Sequence, residues 1–501
     1  MLATDHPGLH VVDASRAADG DREWAVAETA RGPRLAVCAR PTASGQLDAF
    51  EGEVSAGLGT VVLVGQLSPR NAAALRLQLP WLAPRPLGLL TSAGFGDRLG
   101  LATPGHVGAL RQVGGSIAPV FAQQSIREMT RTGRVPQQVL DDAMWGAFAA
   151  GWREGFGADA DHLKVPADID ACLAAGFTWF TIDPGEHVDT TADEAPPAAV
   201  AAAVHALPWS MLDDDEAALK ARFVGRAFDV GGLVIRFDEG TLTRAAAKYG
   251  RAVAHVVRMY RHLRARCGDR VCDFEVSVDE TESPTSHAEH LYVARELHRL
   301  GVRWTSLAPR FVGRFEKGVD YIGDPAAFDR DVAVHAAIAR ANGPYKLSLH
   351  SGSDKFAIYP AAMAHTRGLV HLKTAGTSYL EALRTVARVD PGLFRAIYAF
   401  SLEKYPTDRA SYHVSARADR APASSDTADA DLTGVLDNFD ARQVLHVTYG
   451  SVLTALDDQG RSRFAAPLRS ALRGHARDYA VCLERHFVRH LAPFAGGQPR
   501  P

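Results

Sequence analysis

Residues 272–280 read CDFEVSVDE, and their alternation decides the fold. Phe274, Val276 and Val278 form one apolar set; Asp273, Glu275, Ser277 and Asp279 form the other. A period of two is that of a β-strand. A strand with one apolar face and a second face that ends in carboxylates fits a closed barrel: helices cover the first, and the second lines a lumen with a hydrophilic mouth. A bulge would reverse this parity for the rest of a strand. The flanking stretches LTRAAAKYGRAVAHVVRMYRHLRARC (242–267) and HAEHLYVARELHRLG (287–301) have helical apolar spacing, so strand and helix alternate.

The same pattern recurs outward. Further runs are LGLLTSAGFGD ending at Asp97, DADHLK around His162, FTWFTIDPGEH with Asp183, VRWTSLAPR ending at Arg310, YKLSLHSGSD with His350, LVHLKTAGTS with Lys373, and RQVLHVTYGS with His446. With the first run they make eight strands. The expectation is an α/β fold, a (β/α)8 TIM-type barrel over 86–501, with its site at the C-terminal strand ends where these polar residues fall. Residues 188–235, rich in Ala, Pro and Asp, are expected as an insertion after the third strand that forms a lid or linker over the mouth. Residues 1–85 contain the runs REWAVAET, PRLAVCAR and GTVVLVGQL followed by the helical NAAALRLQL, which predicts a small N-terminal α/β domain.

Composition narrows the function. The 501 residues carry 55 Lys and Arg against 58 Asp and Glu, a net charge of -3, so no strong field draws the chain to nucleic acid or to a membrane. No export signal and no apolar stretch of spanning length is present, which predicts a cytoplasmic enzyme acting on a small molecule, with a homo-oligomer possible. Five scattered cysteines without CxxC spacing predict reduced thiols.

A catalytic divalent ion needs carboxylate and imidazole ligands that converge and leave positions open for substrate oxygens. Glu275, His350, His371 and His446 fit from four strand ends, with His162 and His413 as weaker candidates for the same sphere. A single histidine is more often structural; several at the strand ends of one barrel are what point to a metal. Asp183, before a Pro-Gly turn, is a candidate base or a turn cap, and Asp279 and Glu280 carry the same ambiguity. Lys373, Arg310 and Lys164 are strand-end cations suited to a carboxylate or a hydroxyl. The loops LHSGSDK and KTAGTS place Ser351, Asp354 and Thr377 where they can hold substrate oxygens. GFGDRLG has GxGxxxG spacing, which argues against a bound NAD.

Taken together, GFGDRLGLATPGH, FAQQSIREMTRTGR, DADHLK, FTIDPGEHVD, FEVSVDETE, SLAPRFVGRFEKGVDYIGD, LSLHSGSDKF, HLKTAGTSYLEALR and ARQVLHVTYGS resemble the tagaturonate epimerase family. The resemblance implies a barrel enzyme that interconverts tagaturonate and fructuronate with a divalent metal such as Zn, Mn, Ni or Co; some members act on the neutral ketohexoses tagatose and fructose. Motifs holding Asp183, Glu275, His350, Lys373 and His446 are intact. The inverting carbon of these uronates is β to the ketone, so enolisation cannot invert it. Retro-aldol cleavage and re-addition can, with Asp183 as base and Lys373 or Arg310 on the substrate carboxylate. A metal-dependent aldolase and a non-catalytic sugar-acid-binding barrel are the competing readings.

Overall fold

The computed structural model describes residues 2, 6, 8–57 and 59–496. Residues 1, 3–5, 7, 58 and 497–501, which belong to the expected N-terminal unit and to the end of the barrel, lie outside the described residues. Eight parallel strands close into a barrel: β1 (Ser92–Gly94), β2 (Ala118–Ser125), β3 (Gly157–Leu163), β4 (Trp179–Ile182), β5 (Asp273–Ser277), β6 (Ser306–Ala308), β7 (Lys346–Leu349) and β8 (Val370–Lys373). Order around the barrel follows the chain, and β8 pairs with β1 through Lys373 and Gly94. Residues 10–65 form a six-stranded antiparallel sheet, whose helix Pro69–Gln78 is capped by the Ser68 hydroxyl accepting from Asn71 N–H.

Two strand expectations are corrected. RQVLHVTYGS is not a strand: Phe439–Val447 is an α-helix, capped by the Asn438 side chain. Ala441, Val444, Leu445 and Val447 are all buried, and an apolar run buried on every side has no period that separates helix from strand. The missing strand is β2, where Pro119 and the pair Gln123–Gln124 interrupt the apolar run. Counting β2 places the 188–235 segment after the fourth strand rather than the third.

That segment is not a lid. Its helix Pro197–His205 packs on the long helix Glu239–Cys267, and Arg222 pairs with Glu296 at 3.2 Å on helix His287–Arg299. None of its residues lines the cavities at the barrel mouth. Residues 313–317 and 411–413 line the larger mouth cavity instead.

The GFGDRLG glycines have a packing role. A Cβ on Gly96 would stand 2.6 Å from Ala375 Cα, so the turn after β1 lies directly on the KTAG loop after β8. Asp97 accepts the N–H groups of Leu99, Gly100 and Ala102 and fixes that turn.

Candidate active site

Strand parity builds the lumen in layers. In the lowest, Lys346 Nζ donates to Ser92 Oγ at 2.9 Å and lies 4.2 Å from the centre of the Trp179 ring. His371 Nδ1 is 2.8 Å from the same hydroxyl, and its ring is 4.6 Å from Trp179. Lys373 stands two residues further along β8, one layer higher. Its buried ammonium lies 2.8 Å from Asp159, 2.7 Å from Asp161 and 2.8 Å from Glu275, and donates to Thr181 Oγ1 at 2.8 Å. Burial alone would favour the neutral amine; the three carboxylates override it and hold the ammonium charged. Burial in turn pushes Asp159 up to about 7, despite Lys373.

The mouth lies above this layer. His350 faces carboxylates with both nitrogens: Nε2 is 2.6 Å from Glu275 and Nδ1 2.9 Å from Asp279. A bulge in the β3–β4 register, between Phe180 and Ile182, and the positive φ of His162 (53°) turn two successive β3 residues, Asp161 and His162, towards the site. His162 Nδ1 is 2.9 Å from Asp161. Its Nε2 is 3.7 Å from both Asp279 and Glu280, and is buried with no hydrogen-bond partner. Burial opposes the imidazolium, yet Asp161, Glu280 and Asp279 push its pKa up to about 10. Asp183 is buried, its Oδ1 accepts Gly185 N–H at 2.8 Å, and burial raises its carboxyl above the usual range.

Above these groups opens a cavity of about 460 Å³ lined by Arg127, Asp279, Glu280, Arg310, Lys317, His350, Ser351, Tyr412 and His413, among others. Arg127 pairs with Glu280 at 2.8 Å. Lys317 donates to Ser351 Oγ at 2.6 Å. Arg310 donates through Nε only to the Thr281 carbonyl, at 3.3 Å, and its charge is turned to the cavity.

The structure redistributes the sequence candidates. Glu275, His350, Asp279 and Asp183 converge at the mouth, with Arg310 and Ser351 on the cavity wall. His371 is a layer too deep to meet His350. His446 comes from the helix Phe439–Val447 and lines a smaller cavity that Asp161, His162 and Glu280 also line. Asp354 is locked by Arg442 at 2.9 Å and His486 at 2.7 Å, a buried cluster that ties helix Ala476–Leu491 to the loop after β7. Thr377 faces Ser353 and starts helix Thr377–Val389. Lys164 is at the rim, 2.7 Å from Glu186 and 3.8 Å from Asp183. Lys373 is enclosed by three counter-ions and has no face for a substrate carboxylate.

Asp159, Asp161, Lys317, Arg127 and Arg98 did not stand out in the sequence, whereas Glu280 did, beside Asp279. For Asp159 and Asp161 the signal was present, because GADADHL alternates as CDFEVSVDE does. The others lie on loops and helices after the strands, where no period marks a residue that faces the site.

The donor set fits a divalent ion. Among the described residues, ligand atoms lie within 4.8 Å of one another in Asp161–His162–His350 and in His162–Asp183–Glu280; both groups include His162, whose Nε2 is unpartnered. Imidazole with carboxylate suits first-row divalent ions.

Fold and site together define the class: a (β/α)8-barrel enzyme whose acidic, imidazole-bearing pocket sits at the C-terminal strand ends. The sequence model of the tagaturonate epimerase family matches residues 24–494, and the chain belongs to that family; it is an epimerase, an isomerase. The tagaturonate/fructuronate epimerase of Thermotoga maritima is 48% identical over 383 residues, covering 76% of this chain and 77% of that protein. A glycerol-complexed crystal structure of the fructuronate-tagaturonate epimerase of Cohnella laeviribosi is 38% identical, with a TM-score of 0.91 over 97% of both chains. The native form of that enzyme also superposes with a TM-score of 0.91, over 97% of this chain and 96% of that one.

Proposed function

We propose that the chain interconverts D-tagaturonate and D-fructuronate by breaking and remaking a carbon–carbon bond, with a divalent ion held around His162 by Asp161 and His350 or by Asp183 and Glu280. The observation that carries this reading is the His162 imidazole, set among four carboxylates with its buried Nε2 unpartnered. When bound, the ion supplies Lewis-acid stabilisation of negative charge on substrate oxygens.

The chain's own residues account for the remainder. Asp183, its basicity raised by burial, takes the proton of the hydroxyl on the inverting carbon. The bond from that carbon to the one next to the ketone breaks, and its electron pair passes into an enediolate while the inverting carbon becomes an aldehyde. Rotation presents the aldehyde's other face, the bond re-forms, and Asp183 returns the proton. Lys373 holds Asp161 and Glu275 ionised and keeps them and Asp159 in place throughout. The walls of the cavity keep both fragments together, so recombination prevails over release.

Of the cations singled out in the sequence, Arg310 is the one that lines the cavity, and it receives the substrate carboxylate. A charge-assisted bond of this kind is worth roughly 1.5–3 kcal/mol. Arg310→Met is therefore expected to lower kcat/KM for tagaturonate about ten- to a hundredfold and to leave turnover of tagatose nearly unchanged. Equal losses on both substrates would assign Arg310 to folding or catalysis, and a wild-type preference for tagatose would overturn the uronate assignment.

A further inference from the structure

Behind the mouth lies a second, smaller chamber of about 40 Å³. It shares Arg127, Glu280, Lys317 and Tyr412 with the larger cavity, and at its inner end stand Arg98 and His446. Both are buried, at 4% and 1% exposure. Arg98 spends Nε and Nη2 on Glu128 Oε1, at 2.9 and 2.5 Å, and its guanidinium lies 3.5 Å from the centre of the Tyr449 ring. Its Nη1 is buried with no partner, and so is His446 Nδ1. Both side chains line the chamber, and polar atoms left unmet on them are costly.

The two side chains meet over Gly376, whose φ is +97°; a Cβ there would stand 2.3 Å from His446 Cε1, 2.9 Å from His446 Nε2 and 3.1 Å from Arg98 Nη2, so Nε2 is the ring nitrogen that faces the recess. The glycine leaves a recess that any other residue would fill. The chemistry of the recess is that of an alcohol site. Arg98 can only donate, whereas a neutral imidazole offers one donor and one acceptor. Burial, with Arg98 and Lys317 nearby, keeps His446 neutral. A carboxylate would be opposed by the imidazole lone pair and finds Arg98 already neutralised by Glu128; a hydroxyl uses donor and acceptor together. The chamber adjoins His162, as the end of a substrate that reacts there requires.

From this we infer that Arg98 and His446, over Gly376, form the subsite for the terminal hydroxymethyl group of the sugar acid, at the end opposite the carboxylate. The inference rests on the proposed hexuronate activity and adds specificity-determining residues to it. A site built to pair a hydroxyl rejects an analogue that lacks it, because its own buried groups are then left unpaired.

The test compares tagaturonate with its analogue bearing methyl in place of the terminal hydroxymethyl, using the metal-loaded full chain. Wild type is expected to favour the parent by about thirtyfold or more in kcat/KM. In His446→Leu the parent loses about tenfold or more while the analogue hardly changes, and His446→Gln, whose amide keeps a donor and an acceptor, recovers part of the loss. Equal handling of the two compounds by wild type would overturn the subsite, and so would equal losses of both in His446→Leu. The wild-type comparison needs no variant, so a variant that fails to fold does not remove the test. Calorimetric binding of the two compounds is measured alongside: with no epimer formed from either, the activity fails, while a parent that binds more tightly still supports the subsite and equal binding overturns it.

Discussion

Replacing Lys373 with Met is expected to lower turnover by about a thousandfold or more and to destabilise the fold by about 3–5 kcal/mol, because it removes one partner of a buried ionic cluster. Asp159, Asp161 and Glu275 all lie within 2.8 Å of the ammonium, and no other lysine or arginine forms an ion pair with them among the described residues. Without Lys373 their mutual repulsion in a poorly solvated lumen disorders the layer on which His162 and His350 rest. The effect has a pH signature. Asp159 is held at about 7 by burial even in the presence of Lys373, against about 3.9 in an unfolded chain. Losing the cation raises the folded value further, so the folded variant binds a proton that the unfolded chain does not. Its stability falls as pH rises from about 6 to about 8, more steeply than that of wild type. Denaturant titrations at the two pH values check this, alongside an epimer assay; wild-type stability in Lys373→Met would show that Lys373 is not the counter-ion of this layer.

Chelation is the second large effect. Stripping divalent ions is expected to reduce epimerisation by about three orders of magnitude, since Lewis-acid stabilisation is worth several kcal/mol and each 1.36 kcal/mol is tenfold in rate. Readdition of Mn, Co, Ni or Zn should restore it. Metal content distinguishes the ligands from their neighbours: His162→Ala loses the bound ion, and so does either His350→Ala or Asp183→Ala, which tells the two ligand groups apart, whereas His371→Ala and His446→Ala keep it, because His371 lies a layer below and His446 stands at the inner end of the chamber. The loaded protein should also melt at a higher temperature than the stripped one, by linkage. Full activity in metal-free protein would exclude this role for an ion, and a His162→Ala protein with full metal occupancy would move the ion elsewhere.

Seven of the eight barrel strands were legible because an alternation of polar and apolar residues marks a strand with one face in the lumen. CDFEVSVDE shows it most clearly: Phe274, Val276 and Val278 are buried against helices, while Asp273, Glu275 and Ser277 point inward. β2 was hidden by Pro119 and its glutamines. The helix at 439–447 was mistaken for a strand because burial on all sides erases the periodicity of both. The site was legible only in part for a related reason. Parity finds residues on strands, and it placed Glu275, His350 and Lys373 inward; depth along a strand is not in the alternation, so His371 was placed beside His350 when it lies beneath. Strict alternation would put Asp161 and His162 on opposite faces, and the register shift that brings both to the mouth leaves no mark in composition. Arg98, Arg127 and Lys317 arrive from loops and helices, where only the folded chain shows what they face.

The most direct measurement follows the metal-loaded protein acting on tagaturonate in D2O, with the product identified and its isotope content read by NMR. The account predicts fructuronate with the original hydrogen retained on the inverted carbon, because the bond that breaks is carbon–carbon. Absence of fructuronate would contradict the proposed activity, and deuterium on the inverted carbon would contradict the bond cleavage on which the account rests.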